Sequence, residues 1–170
     1  MIIPSHHEHK DHAPSSIGCM VITCSDTRTP ETDTSGQLIR KLLEERGHTV
    51  VGYHLVKDDP AQIQLWIARG TANETVQAII INGGTGIARR DSTFEAVDEM
   101  LEKRLDGFGE IFRLLTYQDI GSPAIMSRAT AGVINGRILF STPGSENAVR
   151  LAMEKLILPE LGHLIQQLIK

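Results

Sequence analysis

The segment from Ala78 to Val97, AIIINGGTGIARRDSTFEAV, constrains the fold of this chain more than any other segment. Its apolar residues 78–81 predict a strand that is buried on both faces, as in a parallel sheet covered by helices. A glycine-rich turn at 82–86 follows at once, and Phe94 and Val97 then have helical spacing. A strand, a glycine turn and a helix in this order place backbone N–H groups at the carboxyl edge of a sheet, where an anion can bind.

The turn matches neither of two common phosphate-binding patterns. No Gly-Lys-Ser/Thr closes it, as a Walker A loop requires, and Arg89 stands where the last glycine of GxGxxG would be. The spacing alone therefore leaves two interpretations open, a phosphate site and a plain strand-to-helix turn. Arg89, Arg90 and Asp91 beside the turn would supply charge for phosphates and for a metal ion.

The remainder of the chain alternates between strand and helix patterns, which predicts an α/β fold, a three-layer α/β/α sandwich. Asn135-Gly136 between apolar pairs is typical of a two-residue hairpin, so one antiparallel strand is expected in a mostly parallel sheet. Asp59 and Pro60 are typical of the N-cap and the first turn of a helix. Strands are predicted at residues 18–23, 49–56, 76–81 and 137–142, and three of the helices at residues 35–46, 92–103 and 110–118.

Helix-breaking residues predict two further boundaries. Gly107 and Gly109 are expected to interrupt the chain just before the helix at 110–118. Pro159 is expected to divide the C-terminal helical region into two helices or to kink it.

The chain is expected to form a single domain after a short arm. Its 170 residues suit one core, and 41% hydrophobic with 22% charged residues indicate a globular protein. Residues 1–16 are polar without periodicity, so they predict a flexible N-terminal arm and leave 17–170 as the domain. A solvated tail is the favoured interpretation of the arm, although four of its histidines could bind a transition metal: His6, His7, His9 and His12.

Composition argues against several classes of partner. A net charge of -4 disfavours general binding to nucleic acid or to an anionic membrane, and 4% aromatic residues disfavour a stacking platform for bases. No apolar stretch is long enough to span a bilayer, and the N-terminus has no hydrophobic signal region. Cys19 and Cys24 are expected to be reduced thiols, and together these features predict a cytoplasmic protein without a membrane or nucleic-acid partner.

Four loops follow predicted strands at the edge where α/β proteins bind their ligands. We expect the loops after Thr23, Val56, Ile81 and Thr142 to converge on one crevice. Backbone amides of two glycine turns, at residues 82–86 and 143–145, would contact phosphates, helped by hydroxyls of Ser25, Thr27, Thr85 and Ser145. Positive charge would come from Arg28, Arg89, Arg90 or Arg128.

Asp58 and Asp91 are the best candidates to bind magnesium, which prefers one or two carboxylates completed by phosphates and water. Each residue also has a purely structural interpretation. Asp58 would then be a helix-start residue like Asp59, and Asp91 would cap the helix predicted from Ser92.

Four motifs follow one another along the chain: NGGTGIARRDSTFEAV, GFGEIFRLL, MSRATAGVI and STPGSENAV. Their order is the one seen in the MoaB/MogA family of molybdenum cofactor biosynthesis proteins, which the chain resembles over residues 17–165. ITCSDTRTPETDTSG near the start and LVKDD before the second helix fit the same pattern, and DTSG with FRLLTYQDIG resembles the MoaB branch more closely.

The resemblance implies binding of molybdopterin and transfer of AMP from ATP to its terminal phosphate, with Mg²⁺ as cofactor and release of pyrophosphate. The acidic positions of active members fall on Asp58 and Asp91, which would act in catalysis and bind the metal. The remaining site positions implied are Ser25, Gly83, Gly84, Thr85, Gly86, Ser127, Pro143, Gly144 and Ser145.

The resemblance also implies partners and an alternative function. The product would pass to the molybdate-insertion enzyme of the pathway, and the chain would assemble as a homotrimer or a homohexamer. The alternative is a non-catalytic molybdopterin-binding or assembly protein of the same pathway. Two departures from the family pattern are Ser92-Thr93-Phe94, where Val-Thr-Pro is usual, and Lys57, where a proline usually precedes the first acidic residue.

Overall fold

The computed structural model describes residues 14–170 and contains one six-stranded sheet with helices on both faces. The strands are β1 (Gly18–Cys24), β2 (Thr49–Val56), β3 (Ala78–Asn82), β4 (Lys103–Arg104), β5 (Thr130–Ile134) and β6 (Arg137–Thr142). The α-helices are α1 (Thr34–Glu45), α2 (Pro60–Ala72), α3 (Thr93–Asp98), α4 (Asp106–Ile120), α5 (Glu146–Ala152) and α6 (Leu158–Leu168). A 3₁₀ helix at Ser122–Met126 precedes β5, and a π-helix at Met153–Ile157 joins α5 to α6.

The strand order is β2-β1-β3-β6-β5-β4, and only β5 runs against the others, since it pairs antiparallel with both β6 and β4. The predicted three-layer fold, with one antiparallel strand from the Asn-Gly hairpin, is therefore confirmed. Asn135 (φ 46°) and Gly136 (φ 68°) both take positive φ, as a type I′ hairpin turn requires. All of β3 is buried, as its apolar run predicts.

The core has two parts, one on each face of the sheet. Helices α1, α4, α5 and α6 cover one face, where Phe112 and Phe140 are among the largest buried side chains. Helices α2 and α3 cover the other face, where Ile63 and Ile67 pack against Ile79 and its neighbours. This two-sided burial holds the carboxyl ends of β1, β3 and β6 side by side, because these three strands are the parallel centre of the sheet.

The helix predicted at 92–103 is shorter in the structure, and this boundary was wrong. Helix α3 ends at Asp98, and the chain then extends so that Lys103 and Arg104 pair with β5. The N–H groups of Glu102 and Leu105 donate to carbonyls of that same strand. Pairing with an open sheet edge thus replaces the last helical turn that the apolar spacing predicted.

The break expected at Gly107 and Gly109 was also wrong, because both glycines lie inside α4. A Cβ on Gly109 would lie 2.6 Å from the carbonyl oxygen of Ala129, so glycine here permits close packing of the helix. Pro159 stands in the first turn of α6, directly after the π-helix. The helical conformation continues without a break from residue 146 to residue 168, so the expected division appears only as a change from α-helix to π-helix and back. The predicted arm of residues 1–16 lies mostly outside the described residues, so its boundary stays a prediction.

No helix within residues 14–170 has both the length and the apolar character that crossing a bilayer requires.

The hairpin turn generates a stability prediction with a matched control. A Cβ at Gly136 or at Gly107 would meet no atom within 4 Å, but only Gly136 has positive φ. Gly136→Ala should lower the free energy of unfolding by about 1 kcal/mol, the cost of a left-handed backbone for alanine. Gly107→Ala should raise it by about 0.5 kcal/mol, because alanine favours a helix. Urea unfolding measures both, and equal losses would contradict the assigned turn.

Candidate functional site

A cleft of about 410 Å³ opens at the carboxyl edge of the sheet, where β1, β2, β3 and β6 end. This is where the four loops were expected to converge, and each of the four contributes lining residues. The lining consists of Cys24, Ser25, Asp26, Thr27, Arg28, Asp58, Gly83, Gly84, Thr85, Gly86, Arg90, Asp91, Met126, Pro143 and Gly144.

The turn after β3 packs against two neighbouring loops without intervening side chains. Gly83 (φ 96°) lies against the carbonyl oxygen of Cys24, and its N–H donates to the carbonyl of Thr142 at 3.0 Å. A Cβ on Gly144 would lie 2.9 Å from the Cα of Gly83. Glycine at these positions therefore lets the loops after β1, β3 and β6 touch backbone to backbone.

Four successive backbone N–H groups in this turn, those of residues 84–87, have no hydrogen-bond acceptor within the described part of the chain. Gly84 (φ 62°) and Thr85 both line the cleft, and Thr85 is buried. A run of N–H groups without acceptors at the end of a strand is a typical binding site for an anion.

Asp58 lies after β2 and reaches across to the start of α3. Its Oδ1 accepts hydrogen bonds from the Ser92 N–H (3.1 Å), the Ser92 hydroxyl (3.0 Å) and the Thr93 hydroxyl (3.2 Å). Its Oδ2 would lie 2.5 Å from a Cβ at Gly84. Asp59, by contrast, caps its own helix by accepting from the Gln62 N–H. Asp58 is therefore not a helix-start residue of α2, but holds two neighbouring loops together.

Asp91 lies at the other side of the glycine turn. Its Oδ2 accepts a hydrogen bond from the Ala88 N–H at 3.0 Å and would lie 2.5 Å from a Cβ at Gly86. Ser92 is the N-cap residue of α3, so Asp91 does not cap that helix. The structure brings Asp58 and Asp91 together on the lining of one cleft, each against a different glycine of the same turn.

The four candidate arginines have different roles. Arg28 lines the cleft but donates to the fully buried Asp33 at 3.1 Å and to the carbonyl of Gly144 at 2.9 Å. Arg90 lines the cleft and forms no ion pair with any described residue. Arg89 and Arg128 line an adjacent depression instead. Arg90 is therefore the arginine best placed to meet a bound phosphate.

Asp33, the N-cap of α1, fixes the position of the Arg28 side chain on the cleft lining. It accepts from the Gly36 N–H at 3.0 Å and from the Tyr53 hydroxyl at 2.7 Å, in addition to Arg28. Burial and the neighbouring Asp33 carboxylate raise the pKa of Tyr53. Ser35 adds a 2.7 Å hydrogen bond to the Gly144 carbonyl, so the second glycine turn is fixed through α1.

The three predicted serines are placed differently. Ser25 lines the cleft, and its Oγ accepts from the backbone N–H groups of Thr27 and Arg28, which orders the loop after β1. Ser145 is exposed and caps α5 by accepting from the Ala148 N–H. Ser145 and Ser127 are not on the cleft lining, whereas Pro143, Gly144 and residues 83–86 are.

Both cysteines are buried and free. Burial raises the pKa of Cys24, on the cleft lining, and of Cys19, in the core, to about 12. Both thiols therefore stay protonated at neutral pH and are poor nucleophiles.

Three residues of the cleft, Cys24, Asp26 and Met126, were missed among the predicted site positions. Asp26 lines the cleft, and its Oδ1 accepts the N–H of Asp58 at 3.3 Å. Met126 adds an apolar, largely exposed side chain from the 3₁₀ helix. The position of Asp26 in the loop after β1 was a usable signal. Met126 opens the MSRATAGVI motif and precedes the predicted site residue Ser127, so its place in that motif was the available signal.

The fold and this cleft define an α/β protein with an anion-binding turn and two carboxylates at the carboxyl edge of a parallel sheet. Residues 20–163 match the family described as "Probable molybdopterin binding domain". Molybdenum cofactor biosynthesis protein B of Bacillus subtilis (strain 168) is 55% identical over 164 residues, which cover 96% of each chain. The family predicted from the motifs is thereby confirmed.

Solved structures agree with this assignment. A crystal structure of a molybdenum cofactor biosynthesis protein B superposes with a TM-score of 0.90 at 53% identity, covering 93% of this chain and 99% of that one. The tungsten cofactor synthesizing protein MoaB of Pyrococcus furiosus gives a TM-score of 0.83 at 35% identity, with 93% and 100% covered. The chain therefore belongs to the MoaB/MogA family of molybdenum cofactor biosynthesis proteins and resembles its MoaB branch.

The contact between Asp58 and Thr93 can be tested with a double-mutant cycle. The fully buried Thr93 hydroxyl donates to a carboxylate, so Thr93→Val and Asp58→Ala should be coupled by about 1.5 kcal/mol in unfolding free energy. The control cycle replaces Asp58→Ala with Asp59→Ala, which removes a neighbouring carboxylate that bonds elsewhere. Coupling in the control cycle, or none in the test cycle, would refute this contact.

Proposed function

We propose that this protein is a molybdopterin adenylyltransferase. It transfers AMP from ATP to the terminal phosphate of molybdopterin, with Mg²⁺ as cofactor, and releases pyrophosphate. The observation that carries the proposal is the placement of Asp58 and Asp91 on either side of a turn whose N–H groups at residues 84–87 lack acceptors. The shared family supports the pterin as substrate, because the matching domain is described as a probable molybdopterin binding domain.

The charges on the cleft lining favour a metal-bound polyphosphate over a free anion. Three aspartates, Asp26, Asp58 and Asp91, face two arginines, Arg28 and Arg90. A triphosphate brought against three carboxylates would be repelled unless a cation lies between them. A divalent cation shared by carboxylates and phosphates removes that repulsion, so the charge pattern supports ATP binding together with a metal.

The donor set of the cleft fits magnesium. Asp58 Oδ1 and Asp91 Oδ2 are occupied by hydrogen bonds, and their second oxygens accept none from the described residues. Hard carboxylate oxygens suit Mg²⁺. No group of three or more metal-ligating side chains forms within residues 14–170, so phosphates and water would complete the coordination. Bound there, the metal would neutralise charge on the phosphates.

The protein needs no activated nucleophile for this reaction. An oxygen of the molybdopterin phosphate attacks the α-phosphorus of ATP, a new P–O–P linkage forms, and the bond to the departing pyrophosphate breaks. The thiol of Cys24, with its raised pKa of about 12, takes no part. The chain contributes orientation and charge: the turn amides and Arg90 meet phosphate oxygens, while Asp58 and Asp91 position the metal.

The proposal includes an oligomer and a receiving partner. Exposed large hydrophobic residues cluster on α4 and the 3₁₀ helix, with Tyr117 at 61% and Ile125 at 86% exposure. Exposed hydrophobic patches mark protein–protein contacts, so this one supports self-association, and the family resemblance implies a homotrimer or homohexamer. The adenylylated product then passes to the molybdate-insertion enzyme of the pathway.

Two adjacent aspartates provide the test of catalysis. Asp58→Asn should reduce AMP incorporation into molybdopterin by about 100-fold in kcat or more, because it removes charge beside the triphosphate. Asp59→Asn is the matched control and should leave the rate nearly unchanged, since asparagine also caps a helix. Incorporation of labelled AMP, measured with ATP, magnesium and molybdopterin, gives both rates.

The same assay separates catalysis from pterin binding alone. If the folded wild-type protein binds molybdopterin but neither binds ATP with magnesium nor incorporates AMP, the chain is a non-catalytic binding protein. Equal activity of Asp58→Asn and Asp59→Asn would remove Asp58 from the active centre.

A further inference from the structure

Arg128 uses all three guanidinium nitrogens within the protein. Its Nε donates to the Thr85 carbonyl at 2.9 Å and its Nη2 to the Gly86 carbonyl at 3.0 Å. Nη1 and Nη2 donate to the two carboxylate oxygens of Glu95 at 2.6 and 3.1 Å. The guanidinium carbon lies 4.7 Å from the centre of the Phe94 ring. Glu95 and the Phe94 ring therefore fix the position of the side chain, and the side chain donates hydrogen bonds to two successive carbonyls of the glycine turn.

These bonds make Arg128 unsuitable as a phosphate ligand, although it was one of four candidate cations. It does not line the main cleft, and Glu95 neutralises its charge. The hydrogen bond from Arg128 lowers the pKa of Glu95, and the same bond raises the pKa of Arg128. The ion pair is thus charged on both sides at neutral pH.

Because a trans peptide group is planar, fixing its carbonyl also fixes the direction of its N–H group. The hydrogen bonds from Arg128 to the Thr85 and Gly86 carbonyls therefore determine where two N–H groups of the turn point. In each planar peptide group the C=O and the following N–H point in opposite directions. The Thr85 carbonyl accepts a hydrogen bond from Arg128, so the N–H of Gly86 points away from the guanidinium. The Gly86 carbonyl also accepts from Arg128, so the N–H of Ile87 points away from it as well. Neither N–H has an acceptor within the described residues.

We propose that Arg128 is a positioning residue, which orients the N–H groups of Gly86 and Ile87 toward a phosphate group bound at the glycine turn. The inference rests on the proposed function for the identity of the anion. Glycine-rich turns lose much conformational entropy when they become ordered. A turn that is already held by Arg128 binds its anion more tightly, because less of that entropy remains to be lost on binding.

Lysine cannot replace arginine in this arrangement. The planar guanidinium of arginine donates to two carbonyls and a carboxylate at the same time. Lysine has one compact ammonium group at the end of a flexible side chain and cannot reproduce these bonds. Arg128→Lys therefore keeps the positive charge while it loses the geometry. Arg150→Lys is the matched control: Arg150 is also paired with glutamates, but on α5 and away from the cleft lining.

Binding of inorganic pyrophosphate with magnesium tests the proposal without the transfer reaction. In the wild type, titration followed by backbone NMR should shift the amide signals of Gly86 and Ile87. In Arg128→Lys those shifts should be lost, and calorimetry should give about a tenfold higher Kd. Arg150→Lys should match the wild type in both measurements. A merely structural role would lower the melting temperature of Arg128→Lys and leave its Kd unchanged.

Each outcome decides for or against the positioning role. The positioning role is overturned if folded Arg128→Lys binds pyrophosphate with wild-type affinity. It is also overturned if pyrophosphate does not shift the amide signals of Gly86 and Ile87 in the wild type. Glu95→Gln is a second variant with intact Arg128, and it should raise Kd by a smaller factor than Arg128→Lys. If the amides respond as expected but no AMP is transferred in the molybdopterin assay, the proposed function fails while the role of Arg128 stands.

Discussion

The backbone contact at Gly83 is the constraint on which the rest of the cleft depends. A Cβ on this residue would collide with the carbonyl oxygen of Cys24, and a Cβ on Gly144 would lie 2.9 Å from the Cα of Gly83. The loops after three central strands can approach so closely only because two of these positions carry no side chain. With the loops in contact, the carboxylates of Asp58 and Asp91 come to lie against the same turn. A substitution at Gly83 would therefore disturb charges that are far apart in sequence.

The charged groups around the cleft fall into two kinds. Some are bound within the protein, as in the pairs Arg28–Asp33 and Arg128–Glu95, and they fix the positions of the glycine turns. Others keep an oxygen or a guanidinium that has no partner among residues 14–170, and these include Asp58, Asp91 and Arg90. The first kind lowers the entropic cost of ordering the loops when a ligand binds. The second kind is available to bind a ligand and its metal. This division is the physical basis for assigning structural and chemical roles to neighbouring charges.

Local patterns predicted much of the fold. The apolar run of β3, the Asn135-Gly136 turn and the cap at Asp59 each depend on residues close in sequence, and the structure contains all three. The length of α3 and the glycines inside α4 could not be predicted, because pairing with β5 and packing against Ala129 decide them. Both are tertiary contacts that override local preference.

The location of the candidate site could be predicted from the sequence, but the roles of its individual side chains could not. Its loops could be expected to converge, since parallel strands end at one edge, but the roles of single side chains depend on contacts across loops. Asp58 accepts hydrogen bonds from Ser92, 34 residues along the chain, and Arg128 donates to the carbonyl of Thr85, 43 residues away. Neither relation has a periodic signature.

The most direct test of the account is a crystal structure with magnesium and a non-hydrolysable ATP analogue. We expect a metal ion between the phosphates and the carboxylates of Asp58 and Asp91, with phosphate oxygens on the amides of Gly84 to Gly86. A nucleotide bound elsewhere, or a metal that contacts neither carboxylate, would contradict it.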